Sequence, residues 1–225
     1  MVAVSMAAAA FGCADSQEDE RGDLSELTPD QALARAREAV DAADGFDFVL
    51  SHVSGTTHLA GGLELQRAEG SVKRPGDMKL SAEANFGRAF VRTDAVVIGT
   101  DTWMTNPLTG NWGKIPPEES PFGFLDPLRV VSNIIENVAN PTFVGEPGAD
   151  GSVLIAGQID AAAFEPLVGA VADTVVDVTL ELDAVTFHLV RARIRGVLQV
   201  DDLASAERVI DLSGYDSEVR ISPPI

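Results

Sequence analysis

Residues 176–195 read Val-Asp-Val-Thr-Leu-Glu-Leu-Asp-Ala-Val-Thr-Phe-His-Leu-Val-Arg-Ala-Arg-Ile-Arg. Val176, Val178, Leu180 and Leu182 fall on one face of an extended chain, because strand side chains alternate with period two. Asp177, Thr179 and Glu181 fall on the other. Asp183 to Thr186 supplies a turn. His188, Val190, Ala192 and Ile194 then share a face, continued by Leu198 and Val200. Two alternating runs joined by a short polar turn predict an antiparallel hairpin with one buried side.

The same pattern recurs on both sides. Glu207 to Leu212 predicts a last strand. Upstream, Phe46, Phe48 and Leu50 alternate with polar residues, as do Leu59, Leu63 and Leu65. Pro75-Gly76-Asp77 is a turn signal, and Met78, Leu80, Ala82 and Ala84 follow it at period two. Ala89–Arg92, Val96–Gly99 and Trp103-Met104 predict further short strands, and 141–146 and 152–157 two more. So many strands separated by turns make an antiparallel meander.

Helix signals interrupt it three times. Thr28-Pro29-Asp30-Gln31 is a capping box with Pro at the first helical position. It predicts a helix to about Ala43, ended by Gly45. Asp126-Pro127 caps a second, with Leu128, Val131, Ile134, Ile135 and Val138 as its apolar stripe, stopped by Asn140-Pro141. A shorter helical stretch spans 160–171, with Pro166 early or at a kink. The class is α+β: one large antiparallel sheet whose apolar face the helices must cover.

Composition narrows function mainly by exclusion. The 225 residues carry 16 basic and 35 acidic side chains, a formal charge of −19, which argues against nucleic acid as a partner. One cysteine excludes a disulfide framework and a Cys-based zinc cluster. No P-loop, dinucleotide fingerprint or nucleophile elbow occurs, so no catalytic residue, metal or cofactor is assigned, and the chain is expected not to be an enzyme. His52 and His58 lie on neighbouring strands without a carboxylate or Cys at ligand spacing. Arg191, Arg193 and Arg195 share a strand face. They suit either a cradle for anionic headgroups or charge pairing with Asp177, Glu181, Glu207 and Asp211. Pairing is preferred because the partners are visible.

The lone cysteine, Cys13, ends an apolar run of small residues, Val2 to Gly12. This resembles the end of a bacterial lipoprotein signal peptide, with Cys13 as the lipidation site. No Lys or Arg precedes the run, so residues 1–13 are expected to be a truncated signal peptide. Residues 14–27 hold six acids and read as a flexible tether; residues 28–225 form one domain. Each buried lipid CH2 contributes about 0.8 kcal/mol, so several acyl chains on one Cys anchor a domain firmly.

The ordered set resembles the LppX/LprG/LprA/LprF lipoproteins of mycobacteria and related actinobacteria. The matching features are Cys13 and the tether, the helix leading into Phe46-Asp47-Phe48, and Asn111-Trp112-Gly113-Lys114-Ile115-Pro116. They continue with Phe122 to Pro127 before the central helix, Thr142 to Glu146, and the hairpin first quoted. The resemblance implies a curved antiparallel half-barrel with helices packed on its concave face, enclosing an apolar cavity, similar in shape to the LolA/LolB carriers. It also implies binding and transport of a multi-acyl lipid or glycolipid within the envelope. The protein would be held on the outer face of the cell membrane, with an envelope transporter as a further partner. The candidate cavity wall is Phe46, Phe48, Leu50, Met78, Leu80, Phe122, Phe124, Leu125, Ile134, Ile135, Val138, Leu180 and Leu182. Two other functions stay open: a surface module that contacts a partner protein, and an envelope hydrolase built near His52 and His58.

Overall fold

The computed structural model describes residues 24–59, 62–116, 119, 120, 122 and 125–225. Cys13, the segment 1–13, tether residues 14–23 and Phe124 lie outside the described residues. Residues 24–27 differ from the tether expectation. Leu24–Glu26 form a 3₁₀ turn, and Leu24 and Leu27 pack against the core.

Helix α1 spans Pro29–Ala42. Thr28 accepts a hydrogen bond from the Gln31 backbone N–H at 3.2 Å, and Gln31 Oε1 accepts one from the Thr28 N–H at 2.8 Å. The expected capping box is therefore closed on both sides. Gly45 does not end this helix; Ala43 is its C-cap. Gly45 opens the first strand instead, where a Cβ would stand 2.3 Å from the Val72 carbonyl oxygen. Glycine is needed there for close approach of two backbones.

The strands are β1 (Gly45–Ser54), β2 (Thr57–Leu59), β3 (Leu63–Lys73), β4 (Asp77–Phe86), β5 (Ala89–Ile98), β6 (Asp101–Thr105) and β7 (Trp112–Ile115), then β8 (Ala139–Phe143), β9 (Ser152–Asp160), β10 (Val175–Asp183), β11 (Leu189–Arg195) and β12 (Glu207–Ser213). They form one sheet in the order β7-β6-β5-β4-β3-β1-β12-β11-β10-β9-β8, with β2 beside β3. The paired strands are antiparallel. The two strands expected between Ala89 and Gly99 are one, β5, and the run from Leu59 to Gln66 is split between β2 and β3.

In the opening hairpin the inward face is as read on β10, where Val176, Val178, Leu180 and Leu182 are buried. On β11 the phase slips. A bulge near Glu181 pairs Leu182 with Leu189 and Leu180 with Ala192, so Leu189 is buried and Val190 only half-buried. Val200, expected on that face, is exposed because β11 has ended five residues earlier.

Sheet order explains the helices. Sequence neighbours β7 and β8 stand at opposite edges of the sheet. The chain between them must cross from edge to edge, and it does so as α2 (Pro127–Glu136). The β9–β10 connection adds a 3₁₀ turn, Ala161–Phe164, and α3 (Glu165–Val168), with Pro166 in its first turn. α2 packs against α1 and α3. It buries Leu128, Val130, Val131, Ile134 and Ile135. It also ends earlier than its stripe predicts. Asn137 is the C-cap and donates its side-chain amide to the Asn133 carbonyl at 2.8 Å. Val138 is therefore not a helix residue.

Candidate functional site

The concave face of the sheet and the helices over it enclose an apolar slot. β1 contributes Phe46, Phe48 and Leu50, β3 contributes Leu65 and Ala68, and β12 contributes Ile210 and Leu212. Leu59 of β2, Pro127, Val130 and Val131 of α2, Leu167 of α3, and Phe122 and Leu125 of the crossing segment complete it. Every lining side chain is hydrocarbon. The cavity volume is about 30 Å³, enough for one or two water-sized groups.

A second small apolar cavity, about 50 Å³, lies toward β4, β5 and β6 and shares Leu59, Leu65 and Phe122 with the first. On another side Leu125 also borders an open polar cleft of about 470 Å³, lined by Gly76, Val97, Gly99, Asp126, Arg129, Glu165 and Pro166. Leu125 thus borders both the apolar slot and the open cleft. Asp126, on the rim, caps α2 by accepting from the Arg129 N–H at 3.0 Å, and its own N–H donates to the Pro166 carbonyl at 3.0 Å.

Of the candidate wall residues, Phe46, Phe48, Leu50, Phe122 and Leu125 meet at the slot. Met78, Leu80, Ile134, Ile135, Leu180 and Leu182 are buried in the surrounding core and border neither apolar cavity. Val138 is half-buried over Gly157, where its Cγ1 would be 2.4 Å from an added Cβ. Ile210, Leu212, Leu65, Leu167 and Val130 were missed. The period-two run of β12 could have offered Ile210 and Leu212, but only sheet order places β12 beside β1.

Further along the inward faces of β12 and β1, past Ile210 and Leu50, the wall turns polar. Arg208, fully buried, pairs with buried Asp202 at 2.8 Å. Its Nε donates to Thr57 Oγ1 at 2.9 Å and its Nη2 to the Thr56 carbonyl at 2.7 Å. Thr57 Oγ1, accepting from Arg208, has one proton to give, and His52 Nε2 lies 3.0 Å away. His52 Nδ1–H then donates to the Gln66 carbonyl at 2.9 Å. Burial holds the His52 pKa below its ordinary value, outweighing the Gln66 hydrogen bond, so the ring is neutral with both nitrogens engaged. Burial pushes the Asp202 carboxyl up, but Arg208 and the Gln199 and Leu198 N–H groups outweigh it and hold it below the carboxylate range. His58 is tied through its backbone to the Gln199 side chain, at 2.8 Å for both bonds. Among the described residues no group of three His, Cys, Asp or Glu side chains could hold a metal ion.

The arginine stripe is paired. Arg191 binds Asp211 and Glu181, and Arg193 and Arg195 share Glu207. Those hydrogen bonds, first from Arg195 and then Arg193, pull the Glu207 carboxyl down. No helix of the described residues is long and apolar enough to cross a membrane.

Comparison with known proteins agrees with this architecture. The family model described as LppX_LprAFG lipoprotein matches residues 28–221. Among solved structures, LprF from Mycobacterium bovis superposes with a TM-score of 0.67 at 21% identity, over 87% of this chain and 96% of that one. LppX from Mycobacterium tuberculosis superposes with a TM-score of 0.60 at 18% identity, over 86% and 98%. No curated protein matches by sequence.

Proposed function

The chain belongs to the LppX_LprAFG lipoprotein family, and from that premise we propose that its apolar interior receives the acyl chains of a lipid or glycolipid, which the protein carries within the cell envelope. One observation carries the reading: a slot walled only by hydrocarbon lies beneath helices that the sheet topology forces across the concave face. Hydrocarbon transfer from water into such a wall is favourable at about 0.8 kcal/mol per CH2.

The cleft at Leu125 is the mouth, and the headgroup stays there among Asp126, Arg129 and Glu165. Loading moves α2 outward from the sheet. Cys13 carries the lipid anchor, and the acidic stretch after it spaces the domain from the outer face of the membrane.

Native mass spectrometry and solvent extraction of the purified protein test the binding reading. The expected result is co-purifying acyl lipid that returns when the stripped protein is incubated with vesicles. A bare mass before and after incubation would overturn it.

A further inference from the structure

The β4–β5 hairpin ends in a tip that is aromatic on both faces. Its strands are joined by a two-residue turn, Gly87-Arg88, in which Gly87 has φ +59°. Such a turn makes a narrow tip. Ala84 and Val91 line the second apolar cavity. Phe86 lies two residues on from Ala84, so it faces the same side; Phe90 adjoins Val91, so it faces the other. Phe86 is 56% exposed and Phe90 63%. An antiparallel hairpin over a core ordinarily keeps one face polar for water; this one shows water a ring on each. Arg88 stands exposed at the apex between them. Among the described residues no acid pairs with it, and Glu83, lower on β4, is held by Arg92. The next turn at this end, Asn106 to Asn111, exposes Leu108 to 90%. Pro107 beside it borders the same cavity as Val91.

We propose that this tip is a membrane-contact wedge: Phe86, Phe90 and Leu108 enter the boundary between headgroups and acyl chains, and Arg88 binds lipid phosphate. A protein of charge −19 is repelled by an anionic surface, so it meets a bilayer through an edge that offers a cation and hydrocarbon together. The guanidinium fork matches phosphate with paired donors. Rings wetted on both faces of the hairpin gain from leaving water. The insertion is shallow, because the unpaired backbone groups of a turn cannot enter hydrocarbon. The wedge points away from the cleft at Leu125, which is bordered by Gly76 and Gly99, in the turns at the other ends of β4 and β5. A molecule resting on its tip keeps that cleft clear of the bilayer. The contact is therefore separate from the binding of a lipid in the interior and does not depend on it.

The full chain bearing Cys13→Ser, which leaves no thiol for an acyl anchor, is sedimented with vesicles of phosphatidylcholine and phosphatidylglycerol. It should pellet with them. Phe86→Ser and Phe90→Ser should each weaken partitioning about tenfold, and Arg88→Ser about fivefold. Val185 is also exposed but sits in the β10–β11 turn, at the opposite end of the sheet, so Val185→Ser should change nothing. Thermal melting checks that each variant folds as its parent does. Phe90→Trp adds a direct reading: its emission should shift to the blue with vesicles and be quenched by brominated acyl chains. A parent chain that stays in the supernatant overturns the wedge. So do Phe86→Ser and Phe90→Ser pelleting like the parent, an unmoved Phe90→Trp emission, or Val185→Ser weakening binding equally. A dimer that Phe90→Ser dissolves, in a chain that does not pellet, assigns the tip to a second copy and also overturns it. Failure of the interior lipid-binding reading shows elsewhere, as a bare mass after incubation with vesicles, because a protein that only extracts lipid does not pellet.

Discussion

Two arginines of adjacent strands show how burial decides what a charge is worth. Arg191 and its partner Asp211 are 46% and 38% exposed. Water screens that pair, and its contribution is about 0–1 kcal/mol. Arg208 and Asp202 are 1% and 2% exposed. Removing Arg208 strands a carboxylate in the interior, at a cost of about 3–5 kcal/mol. Urea denaturation should thus show Arg208→Met losing several times more stability than Arg191→Ala. Equal losses would mean that Asp202 finds water or another partner once Arg208 is gone. In the sequence the stripe at 191, 193 and 195 is the conspicuous feature, and its opposite charges point correctly to pairing. Arg208 is inconspicuous: alternation with Ile210 and Leu212 puts it on the inward face, but nothing local shows that Thr57 and Thr56 arrive from 151 and 152 residues away to pair with it.

At the scale of elements, the helix starts were legible and the ends were not. Thr28 and Asp126 cap α1 and α2 as their neighbours in sequence predict, since a capping bond closes within three residues. The end of α2 is decided by Asn137 and by Val138 packing over Gly157 on β9, a contact 19 residues away. The bulge in the β10–β11 hairpin likewise shifts which side chains point inward, and alternation cannot register an extra residue. Asp126 offers a test of α2 as the moving part. Asp126→Ala removes the cap and should cost about 1 kcal/mol. It should also speed lipid uptake from vesicles, followed by stopped-flow fluorescence of a labelled lipid, because the helix frays where it meets the mouth. Slower or unchanged uptake at the lowered stability would place the opening elsewhere.

For the whole molecule, the charge of −19 sets the response to acid together with the buried groups. The folded His52 binds its proton only below the unfolded value of about 6.5. Between the two values the unfolded chain holds more protons, so this contribution is complete above about pH 6.5 and declines below it. Asp183, Asp202 and Glu207 are held below their ordinary values. Their stabilisation is complete above the unfolded carboxylate range, about pH 4, and is lost as pH falls through the folded values. Both effects have the same sign. The melting temperature should fall gently below about pH 6.5 and steeply below about pH 4, and His52→Gln should remove only the gentle limb. A gentle limb unchanged in His52→Gln would assign that proton to another group.

The sequence by itself determined the class of this protein: an antiparallel sheet with three helical interruptions, capped helix starts and an excess of acid. Those properties are carried by period, by turn and cap chemistry within a few residues, and by composition. Only the tertiary structure decided that β1 lies between β3 and β12, that α2 crosses from edge to edge, and that Phe122 borders two cavities. A cavity is the space left over when segments remote in sequence meet. Phe46 and Ile210 line one wall because their strands pair; Met78 and Leu180 are equally apolar and equally regular in period, yet they pack into solid core. Alternation tells which side chains face inward, and sheet order alone tells what they face.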